Sequence, residues 1–162
     1  MGITIRKASP SDAGEMAHLL NEIIAIGGTT AFLNPVSAEM IQGWMLKDGD
    51  GAVWLVAVDE LGGIVGYQSA EPHSKLPSDA ANIASFVKVG VVGGGIGTKL
   101  FAETKRALRE LGKTWINASI RSDNASGLSY YNKMGFQDWK VEPEAQLSDG
   151  RVCGKHHKRF NL

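Results

Sequence analysis

Asn82-Ile83-Ala84-Ser85-Phe86-Val87-Lys88-Val89-Gly90-Val91-Val92-Gly93-Gly94-Gly95-Ile96-Gly97-Thr98 is the stretch from which the rest of the chain can be read. Residues 82–92 form a strand-like run that passes directly into a glycine loop. Beyond the loop, Leu100, Thr104, Leu108 and Leu111 mark a helix that Gly112 stops. Strand, glycine loop and helix start together present several free backbone N–H groups and a helix N-terminus to one anionic group. Glycines suit the loop because a Cβ would hold the backbone away from phosphate oxygens and forbid left-handed dihedrals. The arrangement predicts a phosphate site, although a glycine run by itself reads equally well as a flexible turn with no ligand.

Two well-known phosphate loops fail on residues. A Walker loop requires Lys and then Ser or Thr directly after its last glycine, whereas Gly95 is followed by Ile96, and Thr98-Lys99 stands in the reversed order. A dinucleotide fingerprint requires glycines at the first, third and sixth places, but the sixth place counted from Gly93 is Thr98, and the loop lies mid-chain.

Outward from the loop, the chain alternates strand and helix patterns. Ile3 and Ile5 flank Thr4 in a short first strand, and Ser9-Pro10-Ser11-Asp12 supplies a helix start. Met16, Leu19, Leu20, Ile23 and Ile24 then recur at helical spacing up to Gly27-Gly28. Met40, Ile41 and Trp44 form the apolar side of a second helix after Asn34-Pro35-Val36-Ser37. Residues 52–58 and 64–70 read as a hairpin, 71–80 as a loop, 114–120 as a fifth strand, 125–134 as a short helix closed by Gly135, and 136–141 as a sixth strand. Asp149-Gly150 turns into a last strand over 151–160. The order β-α-α-β-β-β-α-β-α-β-β predicts an α/β fold, a mixed sheet with helices on both faces.

The 162 residues, 43% of them apolar, suit one domain spanning 1–162 and no second core. Seventeen basic residues balance seventeen acidic ones, so no global field draws the chain to nucleic acid or an anionic membrane. Cys153 is the only cysteine, which excludes an internal disulfide and a cysteine-based zinc site and fits a reducing cytoplasm. The opening residues lack a signal-peptide core, and no run is long enough to span a membrane, so a soluble, unprocessed protein is expected. His156 and His157 are consecutive strand residues facing opposite sides, so no metal site is read there.

Two segments carry a family likeness. Val92-Gly93-Gly94-Gly95-Ile96-Gly97 resembles the coenzyme loop of the GNAT acetyltransferases, Gln/Arg-x-x-Gly-x-Gly/Ala after the fourth strand. Asn124-Ala125-Ser126-Gly127-Leu128-Ser129-Tyr130-Tyr131-Asn132-Lys133-Met134-Gly135-Phe136 resembles that family's Asn…Tyr-x-x-x-Gly-Phe element in order and spacing. The likeness covers most of the chain in element order and is closest in flavour to phosphinothricin-type small-amine acetyltransferases. It implies a central, mostly antiparallel mixed sheet and acetyl-CoA as co-substrate. By the same likeness, Gly93, Gly94, Gly95, Ile96, Gly97 and Thr98 hold the pyrophosphate, while Ser85, Phe86 and Val87 offer backbone groups to the pantetheine and the acetyl carbonyl. Two departures stand out: Val92 occupies the place of the family's Gln or Arg, and Gly127 that of its usual Ala. Homodimers are common among such enzymes, and a homodimer is a possible assembly here.

Acetyl transfer from a thioester to an amine needs a held cofactor, a neutral amine, a stabilised oxyanion and a proton for the leaving thiolate. Tyr131 occupies the family position of the general acid, and a phenol is protonated at neutral pH; packing beside Phe136 is its other reading. Tyr130, one residue round the helix, reads as packing. Asn124 matches the pantetheine-binding asparagine and equally a helix N-cap. Residues 82–87 contain no carboxylate or imidazole, whereas related enzymes often carry a Glu nearby, so a direct base is not evident. Glu71, His73 and Asp79 remain as bases acting through water. Thr29, Thr30, Phe32 and Arg151 are read as the acceptor pocket of a small, amino-acid-like primary amine. Two other readings stay open: acetylation of protein N-termini or lysines, and a non-catalytic acyl-CoA sensor.

Overall fold

The computed structural model describes residues 2–91 and 93–162. One seven-stranded sheet organises them, in the order β1-β2-β3-β4-β5-β7-β6. The strands are β1 (Thr4–Lys7), β2 (Val53–Val58), β3 (Ile64–Glu71), β4 (Ala80–Val87), β5 (Trp115–Arg121), β6 (Gln137–Glu142) and β7 (Lys155–Asn161). The helices are α1 (Ala13–Ile26), α2 (Ala38–Lys47), α3 (Ile96–Glu110) and α4 (Ala125–Met134). All neighbouring strands run antiparallel except β4 and β5, which α3 connects as a parallel crossover. This is the mixed, mostly antiparallel sheet expected from the sequence.

The β4–β5 ladder is short. It runs from Ala80 opposite Trp115 to Ile83 opposite Ala118 and stops there. Past that point β4 stays paired with β3, where Ser85 faces Gln68, and β5 stays paired with β7, where Ser119 faces His157. The two central strands therefore diverge into a wedge with its apex at Ile83 and Ala118.

Alternation assigns the two sheet faces. On one face α1 and α2 press Met16, Leu20 and Ile41 onto Trp54, Val56 and Tyr67. On the other, Phe101 and Leu108 of α3 and Tyr131 of α4 pack on Ile83, Ile116, Ala118 and Ile120. Phe101, Phe136 and Phe160 form a ring cluster with centroids 5.2–5.4 Å apart. A fully buried aromatic of this kind contributes about 1.5–3 kcal/mol relative to exposure. Gly66 in β3 lets α3 sit down on the sheet, since a Cβ there would stand 2.9 Å from Ile96 Cγ2.

Local chemistry sets the helix starts. Pro10–Asp12 form a single 3-10 turn ahead of α1, and Asp12 accepts from the Ser9 N–H at 2.8 Å. The same carboxylate receives both terminal nitrogens of Arg6, at 2.8 and 2.9 Å, which ties β1 to the start of α1. Ser37 caps α2 by accepting from the Met40 N–H.

Two strand boundaries differ from the sequence reading. The run expected over 82–92 is a strand only from Ala80 to Val87, because Lys88 and Val91 close a turn through Gly90 at φ 83°. The last strand begins at Lys155 instead of 151: Gly150, at φ 86°, turns the chain, leaving only an isolated bridge between Gln146 and Val152. No described helix is long and apolar enough to cross a membrane.

Candidate functional site

Gly93, Gly94 and Gly95 all adopt left-handed dihedrals, with φ of 81°, 72° and 62°, and Gly95 is the residue that opens α3. Three successive residues in that region are tolerable only for glycine, and with no side chains they leave their backbone N–H groups accessible to an anion. The N–H groups of Ile96, Gly97 and Thr98 add the first turn of a 15-residue helix, which has no acceptor of its own for them. This cradle suits a pyrophosphate. Val92, where the family has Gln or Arg, lies outside the described residues.

Gly97 has a different task from its neighbours. Its carbonyl accepts the Tyr130 hydroxyl at 2.8 Å, and a Cβ on it would stand 2.6 Å from the Tyr130 ring. Tyr130 is therefore the bridge between α3 and α4, which packing alone does not describe. Its oxygen also accepts from Gln68 Nε2 at 3.1 Å.

Gln68 is fully buried in β3 and is the hub of this network. The Thr104 hydroxyl donates to Gln68 Oε1 at 2.6 Å, and Gln68 Nε2 donates to Ser85 Oγ at 2.8 Å. Ser85 Oγ lies 2.8 Å from the Tyr131 hydroxyl. Because Ser85 accepts from Gln68, its own proton is available to Tyr131, and the Tyr131 proton is then left for a group in the wedge. Burial pushes the Tyr131 phenol up from its ordinary range, against the opposing effect of the Ser85 hydrogen bond. Burial raises Tyr130 too. The sequence reading names Thr104 only as part of a helix stripe and Gln68 not at all; the available signal is a polar residue at an interior position of an apolar strand or helix face.

The wedge opens into a cleft of about 1000 Å³ whose walls include Thr29, Thr30, Phe32, Ser85, Phe86, Val87, Gly97, Asn124 and Tyr131. Asn124 caps α4: its Oδ1 accepts from the Gly127 N–H at 2.9 Å and from Ser126 Oγ at 3.1 Å, while Nδ2 donates to the Thr29 carbonyl at 3.1 Å. One N–H of the carboxamide remains for a ligand. Gly127 makes the cap possible, since a Cβ there would collide with the Asn124 carboxamide. Arg121, buried, donates to the Thr30 carbonyl at 3.0 Å and clamps Asp123 through two nitrogens. The segment between α1 and α2 is thus fastened across the cleft at Thr29 and Thr30.

Arg151 does not join this group. It is exposed and pairs with Asp149 at 2.6 Å, because the Gly150 turn folds it back on its own loop. Asp79 is likewise removed from the wedge: its carboxylate accepts from Thr114 Oγ1 at 2.6 Å, beside the paired end of the β4–β5 ladder. His73 lines the cleft, with Nδ1 accepting from the Lys75 N–H. Glu71 borders a smaller recess of about 270 Å³ beneath the α1–α2 segment, walled by Phe32, Trp44, Trp54, Tyr67 and Phe86, with Lys47 at its edge. Phe32 stacks on Trp44 with centroids 5.3 Å apart. Burial raises the Glu71 carboxyl, with Asp48 adding to it and Lys47 opposing.

A second polar group faces the cleft from β5, β6 and β7. Trp139 Nε1 donates to Asn117 Oδ1 at 2.9 Å, and Asn117 Nδ2 donates to Asn82 Oδ1 at 2.9 Å and Ser119 Oγ at 3.1 Å. Ser119 Oγ lies 2.7 Å from His157 Nδ1, and His157 Nε2 lies 2.7 Å from Glu142 Oε1. This hydrogen bond, with the charges of Lys140 and Lys155 adding to it, holds the Glu142 carboxyl below its usual range. His156 faces the opposite side and meets Asp138 at 3.2 Å. Among the described residues, no three His, Cys, Asp or Glu side chains are gathered so as to hold a metal ion.

The acetyltransferase (GNAT) family profile matches residues 19–136. The chain is 27% identical over 151 residues to a Bacillus subtilis (strain 168) protein named "Putative phosphinothricin acetyltransferase YwnH", covering 92% of this chain and 93% of that one. Among solved structures, a ribosomal-protein-alanine N-acetyltransferase from Brucella melitensis superposes with a TM-score of 0.88 at 25% identity, over 98% of this chain and 99% of that one. A phosphinothricin acetyltransferase from Sinorhizobium meliloti, in complex with acetyl-CoA, superposes at 0.87 with 23% identity, over 100% of this chain and 89% of that one, which is a likeness of fold.

Proposed function

Because the chain belongs to the acetyltransferase (GNAT) family, whose members take the acetyl group from acetyl-CoA, we propose that it passes that group to the primary amine of a small, amino-acid-like molecule. The observation that carries the acceptor class is the recess of about 270 Å³ beneath the α1–α2 segment, which shares Phe32, Ala84 and Phe86 with the main cleft. Its walls are aromatic faces, which attract an ammonium group, and it carries one carboxyl, Glu71, and one amine, Lys47. That pairing matches a zwitterion of modest size.

Acetyl-CoA supplies the activated thioester. The cradle at Gly93, Gly94 and Gly95, with the first turn of α3 through Ile96, Gly97 and Thr98, is suited to its pyrophosphate. Ser85, Phe86 and Val87 lie beyond the last β4–β5 pair, so their backbone groups on that edge have no strand partner and are free to hold the pantetheine and the carbonyl oxygen. Tyr131, held by Ser85, donates the proton that the departing thiolate needs. Asn124 offers its remaining N–H, and Thr29, Thr30 and Phe32 close the acceptor side.

Likeness to the ribosomal-protein-alanine enzyme favours a second reading, acetylation of a protein N-terminus. The recess, at about 270 Å³, has room for one residue-sized group. Thiol release from acetyl-CoA should be measured with free amino acids and small alkylamines beside N-terminal and lysine peptides. Turnover on small amines is the expected result; efficient turnover on peptides alone would overturn the acceptor class, and silence on all would favour a sensor.

A further inference from the structure

We propose that Ser119 and His157 together take the proton that the acceptor ammonium must lose before attack, Ser119 touching the amine and His157 receiving the proton through it. The inference rests on the acetyl-transfer reading above and supplies what residues 82–87 lack, a group able to accept a proton.

The direction of the hydrogen-bond chain is fixed at its Trp139 end. The Trp139 indole can only donate, so the Asn117 atom 2.9 Å away is its carbonyl oxygen, and the amide nitrogen faces Ser119. Ser119 Oγ therefore accepts from Asn117, and with the ring neutral its own hydrogen goes to His157 Nδ1 at 2.7 Å. His157 Nδ1 is then the unprotonated nitrogen, and Nε2–H points at the Glu142 carboxylate at 2.7 Å. A neutral imidazole with its basic nitrogen on a serine hydroxyl, and a carboxylate behind it, is poised to gain a proton through that hydroxyl. One lone pair of Ser119 Oγ remains for an incoming N–H.

The chain is also in the right place. Ser119 is the first residue of β5 past the last β4–β5 pair, so it stands at the apex of the wedge. Alternation directs it to the face opposite Ala118 and Tyr131, which belong to the α3 and α4 core. Tyr131 and Ser119 thus address the wedge from its two faces, one on the side of the leaving sulfur and the other on the side from which an amine enters. Ser119, His157, Glu142 and Asn117 all line the cleft.

The step balances without any further reactant. An N–H bond of the ammonium breaks as its proton passes to Ser119 Oγ, while the Ser119 O–H proton passes to His157 Nδ1. The neutral amine keeps the electron pair for attack, and the imidazolium that results faces Glu142. Beyond Glu142, the charged groups around His157 are Lys140 opposite it on β6, and Lys155 and Arg159 two residues to either side on β7, Arg159 lying over the Trp115 ring; Arg121 on β5, opposite Lys155, is turned to Asp123.

The test uses the full chain and the alkylamine of highest turnover in the thiol-release panel, with methoxyamine as a second acceptor that is already neutral at pH 7. His157→Gln retains an acceptor for Ser119 and a donor for Glu142 but cannot take a proton; Ser119→Ala removes the relay with little change in volume. Both should lower kcat/KM on the alkylamine by about 10²-fold and on methoxyamine by less than about 3-fold. The acidic limb of the kcat/KM profile on the alkylamine should move up in His157→Gln toward the amine's own pKa of about 10. Acetyl-CoA affinity, measured by calorimetry, should not change. Equal losses on both acceptors, or wild-type rates in both variants, would overturn the relay and leave the acetyl-transfer reading standing; a wild-type protein silent on every amine would overturn both.

Discussion

The Tyr130 hydroxyl donates to the Gly97 carbonyl at 2.8 Å, and its ring occupies the space that a Cβ on Gly97 would need. Gly95, two residues earlier, has open space around it but a φ of 62°. The two glycines of one loop therefore answer to different constraints, and their substitutions should separate. Gly97→Ala should destabilise the fold by about 1–3 kcal/mol, the cost of overpacking, because the ring is held by its own hydrogen bonds. Gly95→Ala should cost about 1 kcal/mol for a left-handed alanine but weaken acetyl-CoA binding more than Gly97→Ala does. Thermal unfolding and calorimetry on both variants check this; the reverse ranking of affinities would remove the cradle from the pyrophosphate.

Tyr131→Phe keeps the ring among Tyr130 and Phe136, whose centroids lie 4.9 and 5.1 Å away, and removes only the proton and the bond to Ser85. With chemistry rate-limiting, kcat should fall about 10²-fold while acetyl-CoA affinity holds. Because burial raises the phenol, it stays protonated through its ordinary range, so the wild-type rate should show no loss of this donor up to about pH 10. An unchanged kcat in the variant would leave Tyr131 as packing.

What the sequence disclosed follows from the range of each signal. The stripe Leu100, Thr104, Leu108 and the stop at Gly112 are local, and so they located α3 correctly. The end of β4 at Val87 was not legible, because valines at 89, 91 and 92 continue the strand pattern while the turn closes through Gly90 and a bond from Lys88 to Val65. The Asn124 cap and the Tyr131 position are carried by one short segment, and both could be named. The network around Gln68 joins residues 17 to 62 positions apart, and the Ser119–His157 contact spans 38, so each depends on strand register that no local pattern states. The trace they left was faint: polar residues at alternate places in Trp115–Arg121, a strand otherwise buried. The opposite facing of His156 and His157 required only the strand period, and the structure shows it.

Asp12 ties part of the acid stability to its ion pair with Arg6. Bonds from Arg6 hold its carboxyl at about 2, with the Ser9 N–H contributing and burial opposing. The folded value lies below the unfolded one, so the stabilisation is fully present above about pH 4 and is lost as pH falls through 2. Asp12→Asn should lower stability at pH 7 by roughly 1 kcal/mol, discounted for the half-exposed Arg6, and flatten the decline between about pH 5 and 2. Urea midpoints across that range check it; parallel wild-type and variant curves would show the pair to be neutral.

Arg121 should control the acceptor side more than the cofactor side. Its guanidinium is the partner of the Thr30 carbonyl, and it fixes Asp123 just ahead of Asn124, whose amide in turn holds Thr29. Arg121→Met keeps an unbranched apolar stem but leaves the Thr30 carbonyl without its donor, at a cost of about 1–3 kcal/mol. Freed at that point, residues 27–32 lose their fixed position over the cleft, and Phe32 with them. KM for the amine should rise several-fold, about 5-fold for a cost of 1 kcal/mol, with a smaller change in acetyl-CoA affinity, since the Gly93–Gly95 cradle lies ahead of α3 and makes no contact with Arg121. Arg121→Lys should fall between the two, because an ammonium reaches one of the partners but has no fork for both. Lower thermal stability with an unaltered KM would make Arg121 a strut of the fold alone, and an equal or larger loss of acetyl-CoA affinity would place the segment on the cofactor side of the wedge.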